Sequence, residues 1–413
     1  MIAFDKFVLE NGLRVIVHQD KSTPIVAFNL MYDVGARDES PEKTGFAHLF
    51  EHLMFGGSEN IPDYDIHVDK VGGQNNAFTS NDITNYYITL PKDNLETAFW
   101  LESDRMKALA FTPKSLEVQR SVVIEEFKQR YLNQPYGDVH LLLRELSYKQ
   151  HPYRWATIGK EISHIEEAVM DDVKKFFYKH YAPNNAILVV AGDVELANVK
   201  SLTEKYFNGI PKRDILTRNL SVEPIQTEAR VLTVERDVPV NALYKTYHMC
   251  ARDHKDYHAY DLLSDLLSRG QSSRLFQSLV KEAYIFSDIS AYVGGDSDPG
   301  LFYFSGKIAE DVSFELAEQK LYAVIVKLLN EGLTDEELQK VKNKVTSVLL
   351  FSEMSVLNKA INLASAELMG GASMVNEEQA LYNAVSVEDV LRCAKQIFTP
   401  ENSNTLYYKS KNK

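Results

Sequence analysis

The sequence predicts an α+β protein of two homologous domains, each a mainly antiparallel sheet packed against helices. Runs of alternating or β-branched residues, LRVIVHQ, NYYITL and AILVVAGDV, predict strands, while segments around 93–131 and 165–180 carry helical spacing. The stretch PKRDILTRNLSVEPIQTE, with two prolines and no sustained periodicity, predicts a linker near the midpoint. An internal repeat supplies the third observation. Residues 24–38, PIVAFNLMYDVGARD, and residues 239–253, PVNALYKTYHMCARD, share proline, alanine, tyrosine and the closing ARD at an offset of 215. The match resumes at an offset of 222, where FTPKSLEVQR from Phe111 lies against LTDEELQKVK from Leu333, as a short insertion in the second copy would produce. The expected organisation is a first domain over 1–212, a linker over 213–228 and a second domain over 229–413.

Composition narrows the function classes. The 413 residues are 45% hydrophobic and 25% charged, ordinary for a globular chain, and a net charge of -13 argues against a nucleic-acid binder, which needs basic patches to neutralise phosphates. No apolar run reaches the length of about 18 residues that a membrane span needs, so no membrane partner is expected. The opening MIAFDKFVLENGLRVIVHQD lacks a basic segment followed by an apolar core; a cytoplasmic location is expected, with a periplasmic route left open. Cys250 and Cys393 are far apart and lack metal-binding spacing, so two reduced thiols are expected.

The stretch GFAHLFEHLMFGG, residues 45–57, sets His48, Glu51 and His52 inside one turn of an apolar helix. At about 100° per residue, Glu51 and His52 fall about 60° and 40° either side of His48, so all three project from one sector. Two histidines at i and i+4 can hold one zinc ion, with the carboxylate between them as general base toward the water that the metal activates. The order is H-x-x-E-H, the inverse of the commoner H-E-x-x-H. The repeat supplies a control: at the 215 offset these residues fall opposite Leu263, Leu266 and Leu267, so the polar trio is an addition that the fold does not require. Phe46, Leu49, Phe50, Leu53 and Met54 surround it, and charged groups in such company need a partner.

A catalytic zinc site needs a third protein ligand and an open position. The candidates lie in SLEVQRSVVIEEFKQR, residues 115–130. A helical projection takes Val118, Val122, Val123 and Phe127 as the apolar face with Glu126 near its centre, and puts Glu125 about 110° away on a solvated edge. Glu126 is the expected ligand; His140, His151 and His180 stay open as alternatives.

HLFEH followed some seventy residues later by VVIEE resembles the inverzincin family of zinc peptidases, which includes pitrilysin, insulin-degrading enzyme and the mitochondrial processing peptidase β subunit. The likeness extends to GGQNNAFTSNDITNYY, HPYRWATIG, YAPNNAILVVAGDVE, GQSSRLFQ and EGLTDEELQKVKNK, nearly the whole chain. The resemblance implies the mitochondrial processing peptidase-like metallohydrolase fold and a zinc endopeptidase of short or unfolded peptides. It also implies one Zn2+ per chain on His48, His52 and Glu126, with Glu51 as the base. Substrate is implied to add as a strand beside the metal, contacted by Asn76, Ala77 and Thr79, a mode that gives affinity with loose sequence specificity.

Two departures stand out. A glutamate common seven residues before the third ligand is Gln119 here. The arginine and tyrosine that active members carry in the other domain fall on Lys281 and Asp288, with Tyr284 and Tyr292 nearby. Lysine lacks the planar fork and aspartate repels an oxyanion. The resemblance therefore implies the zinc-bearing subunit of a two-chain clamshell, a heterodimer or homodimer with a homologous partner. The other readings are a noncatalytic structural subunit and a hydrolase of non-peptide substrates.

Overall fold

A computed structural model of the chain describes residues 1–215 and 217–411; residue 216 of the expected linker and residues 412–413 of the expected second domain lie outside the described residues. The chain forms two compact units, one of 1–130, 155–221 and 350–377, the other of 131–154, 222–349 and 378–413.

The first unit is built on a six-stranded sheet. Its strands are β1 (Asp5–Val8), β2 (Arg14–Gln19), β3 (Ile25–Tyr32), β4 (Gln74–Thr79), β5 (Thr84–Pro91) and β6 (Ala186–Gly192), in the order β1-β2-β6-β3-β5-β4. The second unit has β7 (Arg230–Arg236), β8 (Ala242–His248), β9 (Phe286–Val293), β10 (Leu301–Ile308) and β11 (Ser403–Ser410), in the order β7-β11-β8-β10-β9. Leaving out β1, the two orders are the same, and each sheet has one parallel pair, β2 with β6 and β7 with β11, among antiparallel neighbours. The expected mainly antiparallel, duplicated architecture is what forms. The helices aligned by the 222 offset are Pro113–Phe127 and Asp335–Ser352, and both start after a threonine whose hydroxyl accepts a backbone N–H three residues on.

The units do not follow the expected division of the chain. Helix Val139–Ser147, expected in the first domain, packs Val139 and Leu143 on the second sheet against Ala242, Tyr244, Leu406 and Tyr408. Helix Val356–Met369, expected in the second, packs Ala360, Leu363 and Ala364 on the first sheet against Ile16, Ala27, Met31 and Val189. Lys359 on Asp20 and Lys6 on Glu367 tie it there. Corresponding helices of the two repeats are thus exchanged. Each helix has a buried apolar face, and its spacing does not say which sheet that face covers.

The Pro113–Phe127 helix also differs from expectation. Leu116, Val123 and Phe127 are buried, whereas Val118 and Val122 are 48% and 44% exposed. The apolar face is rotated toward Leu116, and Glu126 sits on its shoulder instead of near its centre. That rotation leaves the Glu126 carboxylate at a surface it can share with another helix.

Candidate metal centre

Helix Phe46–Leu53 carries the H-x-x-E-H residues, with Phe46, Ala47, Leu49, Phe50 and Leu53 buried beneath them. It has no side-chain N-cap hydrogen bond of its own. The buried carboxyl of Glu39 substitutes, its two oxygens accepting the N–H groups of Gly45 and Ala47 at 2.8 Å each. Gly45 has φ 87°, and a Cβ there would meet Ile158 O at 2.7 Å, so glycine is required on both counts. This places the end of the HPYRWATIG segment under the start of the helix. Trp155 Nε1 donates to Ala36 O at 2.9 Å and fastens the preceding turn.

Glu126 meets this helix from the Pro113–Phe127 helix. Its Oε2 lies 3.6 Å from His48 Nε2 and 3.3 Å from His52 Nε2, and the three donor atoms lie within 4.8 Å of one another. Among the described residues this is the single such cluster of metal-ligating side chains. Glu125 instead points to solvent and pairs with Lys128. His180 packs on the Phe176 ring, His151 beside Asp298 and His140 against Tyr303, so none joins the cluster.

The donors fit zinc. Ligands at zinc's usual distances of about 2.0–2.2 Å in a tetrahedral arrangement stand about 3.3–3.6 Å from each other, which matches the separations of Glu126 from both histidines, 3.6 and 3.3 Å, within a set that spans up to 4.8 Å. Burial, and next the neighbouring His52, push the His48 imidazolium down to about 4, which leaves the neutral ring that a metal requires. The hydrogen bond from His52 holds the Glu126 carboxyl below its ordinary range. The buried Nδ1 of His48 has no hydrogen-bond partner among the described residues.

Glu51 shares the helix with both histidines, and burial lifts its carboxyl above the ordinary range, the direction that suits a base which must hold a proton. Its Oε2 accepts the hydroxyl of Thr79 at 2.7 Å. Thr79 ends β4, the free edge strand of the first sheet. Strand alternation puts Ala77 on the same half-buried face as Thr79 and Asn76 on the other, exposed face, where Asn76 Oδ1 accepts the Ala77 N–H at 2.8 Å. The three residues expected to line the strand edge are therefore divided, and Thr79 is committed to Glu51.

Arg130 was missed by the sequence reading; its Nη1 is 3.1 Å from Glu126 Oε1. The signal available was its i+4 spacing from Glu126. In the second unit, Lys281 is exposed on the π-helix Phe276–Glu282, and Asp288 is exposed on the edge strand β9 opposite Lys307. Tyr284 is 73% exposed, and the Tyr292 ring stacks on Tyr303 at 4.8 Å. Gln119 is half-buried on the Glu126 helix. The positions aligned with the trio, Leu263, Leu266 and Leu267, are all buried in the core of the second unit, and Glu126 falls opposite Val348.

Comparison with known proteins agrees with this architecture. Residues 14–160 match the insulinase family (peptidase family M16), and residues 168–345 match the peptidase M16 inactive domain. The chain is 30% identical over 411 residues to the zinc protease PqqE of Helicobacter pylori, covering 98% of this chain and 92% of the relative. A protease from Helicobacter pylori of known structure superposes with a TM-score of 0.94 at 31% identity, covering 99% and 100%. Over 209 residues the chain is 27% identical to the mitochondrial-processing peptidase subunit beta of Saccharomyces cerevisiae, covering 50% of this chain and 45% of that one. No described helix is long and apolar enough to cross a membrane. Given the duplicated fold, the H-x-x-E-H helix and a relative matched over nearly its whole length, the chain belongs to the insulinase family of peptidases, family M16.

Proposed function

We propose that the chain is a zinc metalloendopeptidase of short or unfolded peptides, the metal-bearing subunit of a two-chain clamshell. The observation that carries this reading is the convergence of His48 Nε2, His52 Nε2 and Glu126 Oε2, with Glu51 on the same helix. These three residues would hold the zinc. When bound, zinc supplies Lewis acidity, lowering the pKa of water and polarising a carbonyl. Glu51 takes the proton of the attacking water on the oxygen that Thr79 leaves free, and later gives it to the departing amine. The peptide adds along β4, where the Ala77 N–H becomes available once Asn76 Oδ1 releases it.

A partner chain enters the reading because Lys281 and Asp288 stand where a substrate-binding arginine and tyrosine are expected. The test is hydrolysis of an unstructured peptide library by the zinc-loaded chain, with Glu51→Gln as control and a homologous partner added or withheld. Cleavage that needs both Glu51 and the partner supports the whole reading. Cleavage without a partner removes the divided site, and silence in every condition with zinc bound points to a noncatalytic subunit.

A further inference from the structure

Arg130 lies on a single π-helical turn, Lys128–Leu132, that continues the Glu126 helix. The Arg130 guanidinium takes Glu126 Oε1, at 3.1 Å, while Glu126 Oε2 is the atom that faces His48 and His52. The carboxylate is thus divided, one oxygen to the arginine and one to the imidazoles. We infer that Arg130 is a positioning residue that keeps Glu126 a one-oxygen ligand and so preserves the open coordination position that peptide hydrolysis needs. This rests on the reading of His48, His52 and Glu126 as a zinc site.

The argument is one of competition for a lone pair. A carboxylate beside a small cation can bind through one oxygen or both, and a catalytic zinc with three protein ligands keeps its fourth position open for water or substrate. A second Glu126 oxygen, added while the water or substrate position is still filled, would raise the coordination number above four and crowd that position. The positive charge of Arg130 at Oε1 opposes this by holding that oxygen in an ion pair away from the cation. The competing explanation is an ordinary i,i+4 surface pair, because Arg130 is itself 69% exposed and such pairs contribute little. Glu126 differs from an ordinary surface acid: its side chain is only 18% exposed, and each of its oxygens has a separate partner.

Cobalt in place of zinc in the full-length chain separates the two, because visible absorption of Co2+ weakens as its coordination number rises from four. Arg130→Met should still bind one metal per chain but with a cobalt band at least about halved, and with kcat lowered about 10- to 100-fold, the usual effect of losing a partner of a metal ligand. KM should move much less than kcat. Arg130→Lys, which keeps a donor, should recover part of both signals. A wild-type spectrum in Arg130→Met overturns the inference, and so does loss of metal from that variant, which would make Arg130 an affinity determinant instead. If the chain cleaves only with a partner, the cobalt spectrum decides without one. Failure of the wild-type chain to bind cobalt or zinc at all would instead overturn the zinc reading itself.

Discussion

Glu39→Gln tests how the H-x-x-E-H helix is held. Two oxygens of a buried carboxyl accept the Gly45 and Ala47 N–H groups, and burial outweighs those donors to raise the carboxyl from 4.5 to about 8. The unfolded chain releases this proton near pH 4.5, whereas the folded chain keeps it until about 8. The stabilisation associated with that proton is complete below the unfolded value and is lost as pH rises through the folded one. At about 1.4 kcal/mol per tenfold difference in proton affinity, the ceiling on that loss is about 5 kcal/mol, and relaxation with water entry brings it to about 2–3 kcal/mol. Glutamine does not titrate. Its carbonyl satisfies one N–H and its amide nitrogen faces the other, so at pH 5 the variant should be less stable by about 1–3 kcal/mol, the cost of one buried donor left unpaired. By pH 8 the gap should close or change sign. Urea unfolding at pH 5, 6.5 and 8 measures it, and tryptophan fluorescence reports on the first unit alone because Trp100 and Trp155 both lie there. A gap that stays constant or widens with pH would refute the reasoning, since it would mean that Glu39 caps the helix as a charge.

Three further outcomes are expected. Thr79→Val, which removes the hydroxyl from Glu51 Oε2, should lower kcat about tenfold with zinc content unchanged, while Thr79→Ser should restore most of it; equal activity in both variants would separate Thr79 from the base. Arg105 is wholly buried on Glu102 among the rings of Phe55, Tyr64 and Tyr86, so Arg105→Met should cost about 3–5 kcal/mol in chemical unfolding, and adding Glu102→Gln should recover much of it. Leu267→Ala should cost about 2–5 kcal/mol and leave metal content, measured by atomic emission, at the wild-type level.

The sequence made some of this legible for a definite reason. Helical periodicity fixes the mutual placement of His48, Glu51 and His52, and the repeat aligns strands β3 and β8 and the starts of helices Pro113–Phe127 and Asp335–Ser352, because in each case the informative residues are neighbours in the chain. It was less informative where placement depends on a surface supplied from far away. Val118 and Val122 suggest a buried face, but Leu116 and Phe127 take it, because which side of the helix is covered depends on the elements packed against it. Thr79 reaches Glu51 across 28 residues through the position of an edge strand. Glu39 looks like a loop acid until Gly45 and Ala47 turn their N–H groups to it. The exchange of helices Val139–Ser147 and Val356–Met369 leaves no local trace, since an apolar face does not say which distant sheet it will cover.

The duplication also shows what the H-x-x-E-H helix costs the unit that carries it. Where the second unit buries Leu263, Leu266 and Leu267, the first sets two imidazoles and a carboxyl, and burial disfavours the charged forms of His48 and Glu51. It gives up apolar burial at those three positions as well. The supports around the first helix are correspondingly polar: Glu39 at its N-terminus, Thr79 on Glu51 and Arg130 on Glu126. None of these supports replaces the lost apolar contacts; each satisfies or orients a polar group. Under the proposed zinc reading, a metal that binds the folded triad and not the unfolded chain would contribute free energy toward that difference. On that reading zinc would add to the first unit's stability as well as its chemistry, whereas the second unit buries Leu263, Leu266 and Leu267 at the aligned positions of helix Tyr257–Ser268.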